Sequence, residues 1–312
     1  MVNISARIGE KLFLSLIFYL LSSIFLLANS EVRLMGLILD EQQKELENVT
    51  IRYYYPGLNL ASEVKSGKGG SWQIPLPRIG PWYLEFKKSG FETKKVFVLV
   101  SRELDPELIP KVMLHRIKGL IETADFQNRL AKADGLLEKG LWTEALISYQ
   151  KLLSDYPEAF GLIYLLGLGY WKSGEYEAAL DYFSQTLEKM PDFIPAILAC
   201  GDAYLKLGKV DLAKYQYSQI DLNRVNDPVL CYEVGLRYLN MAYGDFSLKC
   251  LQRALQLQPN FVDAYYYLGL LYLSRGDFKS AVRILQQYLF FDCQSDRAVQ
   301  VNQLIALVRI RM

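Results

Sequence analysis

The stretch YLLGLGYWKSGEYEAALDYFSQTLEKMP, residues 164–191, decides the fold. Its pair Gly167 and Tyr170 returns at Gly201 and Tyr204, Gly235 and Tyr238, and Gly269 and Tyr272, each step 34 residues. Small residues keep the same step at Ala145, Ala179, Ala213, Ser247 and Ala281. Large apolar residues keep it at Tyr149, Phe183, Tyr217, Leu251 and Leu285. Proline closes three units, at Pro157, Pro191 and Pro259, and turn glycines stand at Gly140, Gly174, Gly208 and Gly276. In the fourth unit the turn glycine, Gly244, is displaced. Each unit reads as two amphipathic helices joined at a glycine, with proline breaking the chain before the next. Such a period makes stacked units that share one core, and points to recognition surfaces before catalysis.

The columns resemble the tetratricopeptide repeat signature, over about five units from Phe126 to Cys293. The first unit is degenerate, with Ala133 and Leu136 in the glycine and tyrosine columns. The resemblance implies a right-handed α-solenoid whose first helices line a concave face. Three columns on those helices align into one stripe, because offsets of three and four residues fall on one side of a helix. The stripe contains Tyr164, Leu168, Trp171, Leu198, Leu205, Tyr232, Leu236, Leu239, Tyr266, Leu270 and Leu273. Leu130, Asp134, Leu137 and Asp202 occupy its remaining places. It holds no lysine or arginine, which argues against clamping an acidic tail. Two readings stand: an open groove for a hydrophobic strand or helix of another protein, or packing against neighbouring helices. Residues 296–312 form a last helix that caps the array or lies in its groove.

Upstream of the array the period changes from 3.6 to 2. Residues 32–40, 49–55, 82–87, 93–100 and 111–117 read as strands, with turns at Pro56-Gly57, Gly67 to Gly70, Gly80-Pro81 and Ser89-Gly90. They predict a small antiparallel β-sandwich over residues 31–117, a linker at 118–125, and the array at 126–295. Gly36-x-Ile38-x-Asp40, Asn48-Val49-Thr50, Gly69-Gly70-Ser71-Trp72 and Ser89-Gly90-Phe91 resemble the carboxypeptidase regulatory-like domain. That resemblance implies a transthyretin-like sandwich with an adhesive or structural role and no chemistry of its own.

Residues 1–30 read as an export signal: Arg7 and Lys11 precede an uncharged run at 12–27, followed by Ala28-Asn29-Ser30. If uncut, residues 12–27 would anchor the chain in a membrane. The expected location is the periplasm or cell envelope. The formal charge of +1 gives no electrostatic footprint for nucleic acid. The four cysteines, Cys200, Cys231, Cys250 and Cys293, lack metal-ligand spacing; they read as buried packing residues, with a Cys200–Cys231 bridge as the alternative. With one histidine, His115, no Ser-His-Asp or Cys-His set can be built, so a non-enzyme without metal or cofactor is expected. The expected function is a protein-interaction scaffold or adaptor. A carbohydrate-binding alternative rests on Tyr54, Tyr83 and Trp72 as sugar platforms.

Overall fold

The computed structural model describes residues 32–56, 58, 60–101, 111–293 and 295–310. The export-signal expectation falls outside them. Among the described residues the N-terminal part has seven strands: β1 (Val32–Asp40), β2 (Thr50–Tyr55), β3 (Leu60–Lys65), β4 (Ser71–Leu76), β5 (Gly80–Lys87), β6 (Lys94–Val100) and β7 (Val112–Leu114). They form one sheet in the order β4-β1-β7 and a second in the order β3-β2-β5-β6. Alternation places Leu34 and Ile38 of β1 against Ile51, Tyr53, Trp82, Leu84 and Phe86 of the facing sheet. The expectation of an antiparallel sandwich needs one correction, since β1 pairs with β7 in parallel.

Among the described residues, eleven α-helices follow: α1 (Ala124–Glu138), α2 (Trp142–Asp155), α3 (Gly161–Ser173), α4 (Tyr176–Lys189), α5 (Ile194–Lys206), α6 (Val210–Ser218), α7 (Pro228–Asn240), α8 (Gly244–Leu257), α9 (Val262–Ser274), α10 (Phe278–Phe291) and α11 (Asp296–Arg309). Within each unit the columns meet as the spacing predicts. A Cβ at Gly167 would lie 2.6 Å from the Phe183 ring, and one at Gly269 2.5 Å from Leu285. The glycines therefore let the second helix press its large residue onto the backbone of the first. Ala145, Ala179, Ala213, Ser247 and Ala281 are wholly buried in that contact.

The turn between paired helices requires a left-handed residue, and Gly140, Gly174, Gly208 and Gly276 supply it. In the fourth unit that position is Ala242, at φ 64°, while Gly244 has moved into the first turn of α8. The displaced glycine thus leaves an alanine in a conformation costly for an L-residue.

Helix α11 closes the array. It buries Ala298, Val301, Ile305 and Val308 and exposes Val299 and Leu307. Its packing partner is α10. Arg297 at its start also reaches α9, lying 4.9 Å over the ring of the stripe residue Tyr266.

Candidate functional site

The first-helix face is where the two parts of the chain meet. Strand β5 alternates Trp82, Leu84 and Phe86 into the sandwich, so Tyr83 and Glu85 point outward. Phe97 and Lys95 stand opposite them on β6, and Tyr54 beside Tyr83 on β2. This outward face is buried by the array. Phe261, just before α9, receives the Phe97 ring edge at 4.4 Å between centroids and the Tyr83 ring at 6.2 Å. The Tyr232 ring of α7 meets Phe261 at 4.9 Å.

Polar groups surround these rings. The Tyr83 hydroxyl donates to the Asp263 carboxylate at 2.7 Å, and Arg297 of α11 pairs with the same carboxylate. Burial, with the Asp263 charge beside it, holds the Tyr83 phenol well above the usual tyrosine range. Lys94 Nζ meets Asp227 at 2.5 Å, and Lys95 Nζ meets Glu233 at 2.5 Å. The Gln258 amide donates to the Phe97 carbonyl at 3.2 Å.

Contact continues toward the first units. Ser89 donates to Asp134 of α1, whose other oxygen accepts from Tyr149 at 2.5 Å. Glu92 lies near Tyr164 of α3 and its carboxyl is raised to about 7, chiefly by burial, against the lowering pull of Lys118 and Lys94. A cavity of about 380 Å³ opens beside this end, between Lys44, Lys88, Phe91, Arg116 and Gln127.

The predicted stripe is therefore not an open groove along its sheet-facing edge. Tyr164 and Tyr232 are buried; Leu168, Trp171, Leu198, Leu205, Leu236, Leu239, Tyr266, Leu270 and Leu273 are half-buried. Leu130 and Asp134, at the unit-one places of the stripe, also touch the sandwich. Asp202 instead turns inside the array, accepting from Tyr217 at 2.6 Å and binding Arg237 through both oxygens at 2.8 and 2.9 Å. The side chains missed in sequence were Asp227, Glu233, Phe261 and Asp263. Asp227, Phe261 and Asp263 sit at first-helix starts and Glu233 lies in the middle of α7, all outside the three aligned columns.

The proposed sugar platform is also corrected. Trp72 packs edge-on against Phe86 in the sandwich core, and Tyr83, with Tyr54 stacked on it at 5.4 Å, lies in the junction. The cysteines are free; Cys200, Cys231 and Cys250 are buried and Cys293 exposed. Burial pushes the Cys200 thiol up to about 12 and that of Cys231 to about 11. The Cys200–Cys231 bridge is not formed, and the thiol that Cys231 faces is Cys250 on its own partner helix. Among the described residues no cluster of three or more His, Cys, Asp or Glu is arranged to hold a metal ion.

Tetratricopeptide repeat models match residues 130–193 and 170–230, and a TPR repeat model matches residues 246–282. The C-terminal half carries tetratricopeptide repeats. The BBSome complex member BBS4 of Bos taurus is 30% identical to this chain over 155 residues, covering 50% of this chain and 30% of that protein. Tetratricopeptide repeat protein 13 of Homo sapiens is 31% identical over 122 residues, covering 38% and 14%. This chain spans less than a third of the length of the curated relatives it matches. Among solved structures, MamA of Desulfovibrio magneticus RS-1 is 19% identical over 56% of this chain and 99% of that chain, at a TM-score of 0.47. YrrB, a TPR protein with an unusual peptide-binding site, is 21% identical over 55% and 88%, at 0.45. Tetratricopeptide repeat proteins are typically non-catalytic scaffolds for protein interaction, and the array has the stacked helix pairs of that class.

Proposed function

We propose that this protein is a non-catalytic scaffold or adaptor of the cell envelope that binds other proteins through the first-helix face of its repeat array. The observation that carries this reading is the junction itself: that face already holds a folded polypeptide, by rings and by charge. The half-buried remainder of the stripe, including Leu168, Trp171, Leu205, Leu239 and Leu273, is the part offered to a peptide segment or helix of a partner. The envelope assignment rests on the export-like residues 1–30. The sandwich takes the carboxypeptidase regulatory-like assignment on its motifs, including Asp40, wholly buried and bonded to the Gln42 and Lys44 amides.

The test is a crosslinked pull-down from the host envelope fraction, with wild type beside Leu239→Asp/Leu273→Asp. Helix content by circular dichroism is matched first. Partners captured by wild type and lost from the variant establish the adaptor and its face. Equal capture by both would remove the stripe from the reading, and capture by neither would remove the adaptor.

A further inference from the structure

The array side of the junction is braced by contacts within the array. Asp227 caps α7: its Oδ1 accepts from the Val229 and Leu230 amides at 2.9 and 3.1 Å, leaving Oδ2 for Lys94. Asp263 is held by Arg297, and Glu233 lies 3.8 Å from Arg237 one turn along α7. Tyr232 and Phe261 brace each other between these carboxylates. Three carboxylates around an aromatic floor are thus fixed by contacts internal to the array, and a site so preorganised loses little entropy when filled.

Two strands fill it: Tyr83 of β5 takes Asp263, and β6 brings both lysines and the Phe97 ring. Lys95 and Phe97 are two apart on β6, so they share a face and enter together, while Lys94 reaches Asp227 from the start of the strand. The lysine side chains remain about a third exposed, at 36% and 34%, so water and salt reach both pairs. The linker after β7 is tied to the array. The Gly161 amide donates to the Gly119 carbonyl at 3.2 Å, which straps the linker to the start of α3. A sheet released from the far units would stay beside the site.

We infer that the array bears an acidic–aromatic docking site that β6 occupies in cis, and that in trans it takes an extended basic–aromatic segment of another protein, of pattern Lys-Lys-x-aromatic. The inference rests on the scaffold reading and names the ligand class of its face. Charge complementarity commits the site to this occupant, because acidic or purely apolar segments would leave Asp227 Oδ2 and Glu233 Oε1 without their lysine partners. The tethered strand competes at high effective concentration, so the free ligand gains access only when docking in cis is weakened.

The test uses the full chain and a fluorescent peptide copying residues 93–99, flanked by glycine and serine, read by anisotropy. Lys95→Glu/Phe97→Asp changes side chains that lie outside the sandwich core and removes the β6 contacts from the Glu233 and Phe261 part of the site. It should bind the peptide at least about ten-fold more tightly than wild type. Adding Asp227→Lys/Glu233→Lys should abolish that gain. If the first variant unfolds by circular dichroism, Lys94→Glu/Lys95→Glu, confined to half-exposed groups, takes its place. A folded, opened chain that binds no better than wild type overturns the proposal, as does binding that survives reversal of the array charges. Peptide binding without any captured envelope partner would count against the scaffold reading and leave this site standing.

Discussion

At the scale of single residues the repeat explains its own exceptions. Four of the five inner turns place glycine at positive φ, and the fifth places Ala242 there at φ 64°. Left-handed backbone costs an L-residue about 1–2 kcal/mol, part of which glycine returns as lost chain entropy. Ala242→Gly should therefore stabilise the protein by about 0.5–1 kcal/mol, read as a higher urea midpoint at unchanged slope. An unchanged or lower midpoint would show that the turn is not strained. The columns were legible because a glycine under Phe183 and a small residue, alanine or Ser247, under every second helix recur for one packing reason. Asp134 and Asp202 were not, since each bonds a tyrosine fifteen positions on, Tyr149 and Tyr217, and nothing in the spacing announces a carboxylate's partner.

At the scale of elements, the two strands left unread in the sequence, β3 and β4, are edges. Strand β3 (LASEVK) is almost wholly exposed, so burial imposes no alternation on it; β4 alternates Trp72, Ile74 and Leu76 inward but carries Pro75, tolerated at an edge. The docking of β5 and β6 did leave a signal. Residues 81–84 are buried in unbroken succession, and VFVLV in β6 is a continuous apolar run, as in strands covered on both faces. The same junction has an acid–base signature. The Glu92 carboxyl, facing Lys118, Lys94, Glu41 and Tyr164, is raised from 4.5 to about 7. A folded-state pKa above the unfolded value means that the folded form holds the proton more tightly. The associated stability is complete below pH 4.5 and is lost as pH rises through about 7. With discount for partial exposure, about 1–2 kcal/mol should disappear across that window. Glu92→Gln should flatten this part of the pH–stability curve; an unchanged slope would assign it to other groups.

At the scale of the whole molecule, the sandwich spans the array from α1 to α9, and α11 seals the far end. Val301 of α11 is wholly buried. Val301→Asp places a charge there and should cost about 3 kcal/mol or more, with light scattering rising as the end of α10 is bared. A monodisperse variant of native stability would mean that α11 is dispensable. The junction has a further consequence, in time. Tyr83 and its acceptor Asp263 lie 180 residues apart. At ribosomal rates of about 5–20 residues per second, the sheet emerges roughly ten to forty seconds before its partner exists. Throughout that interval Phe97, Tyr83 and Tyr54 form a bare aromatic plate on a nascent chain. Birth of this protein therefore has a vulnerable phase that its finished form conceals, and whatever shields that plate governs how much of the chain reaches its final state.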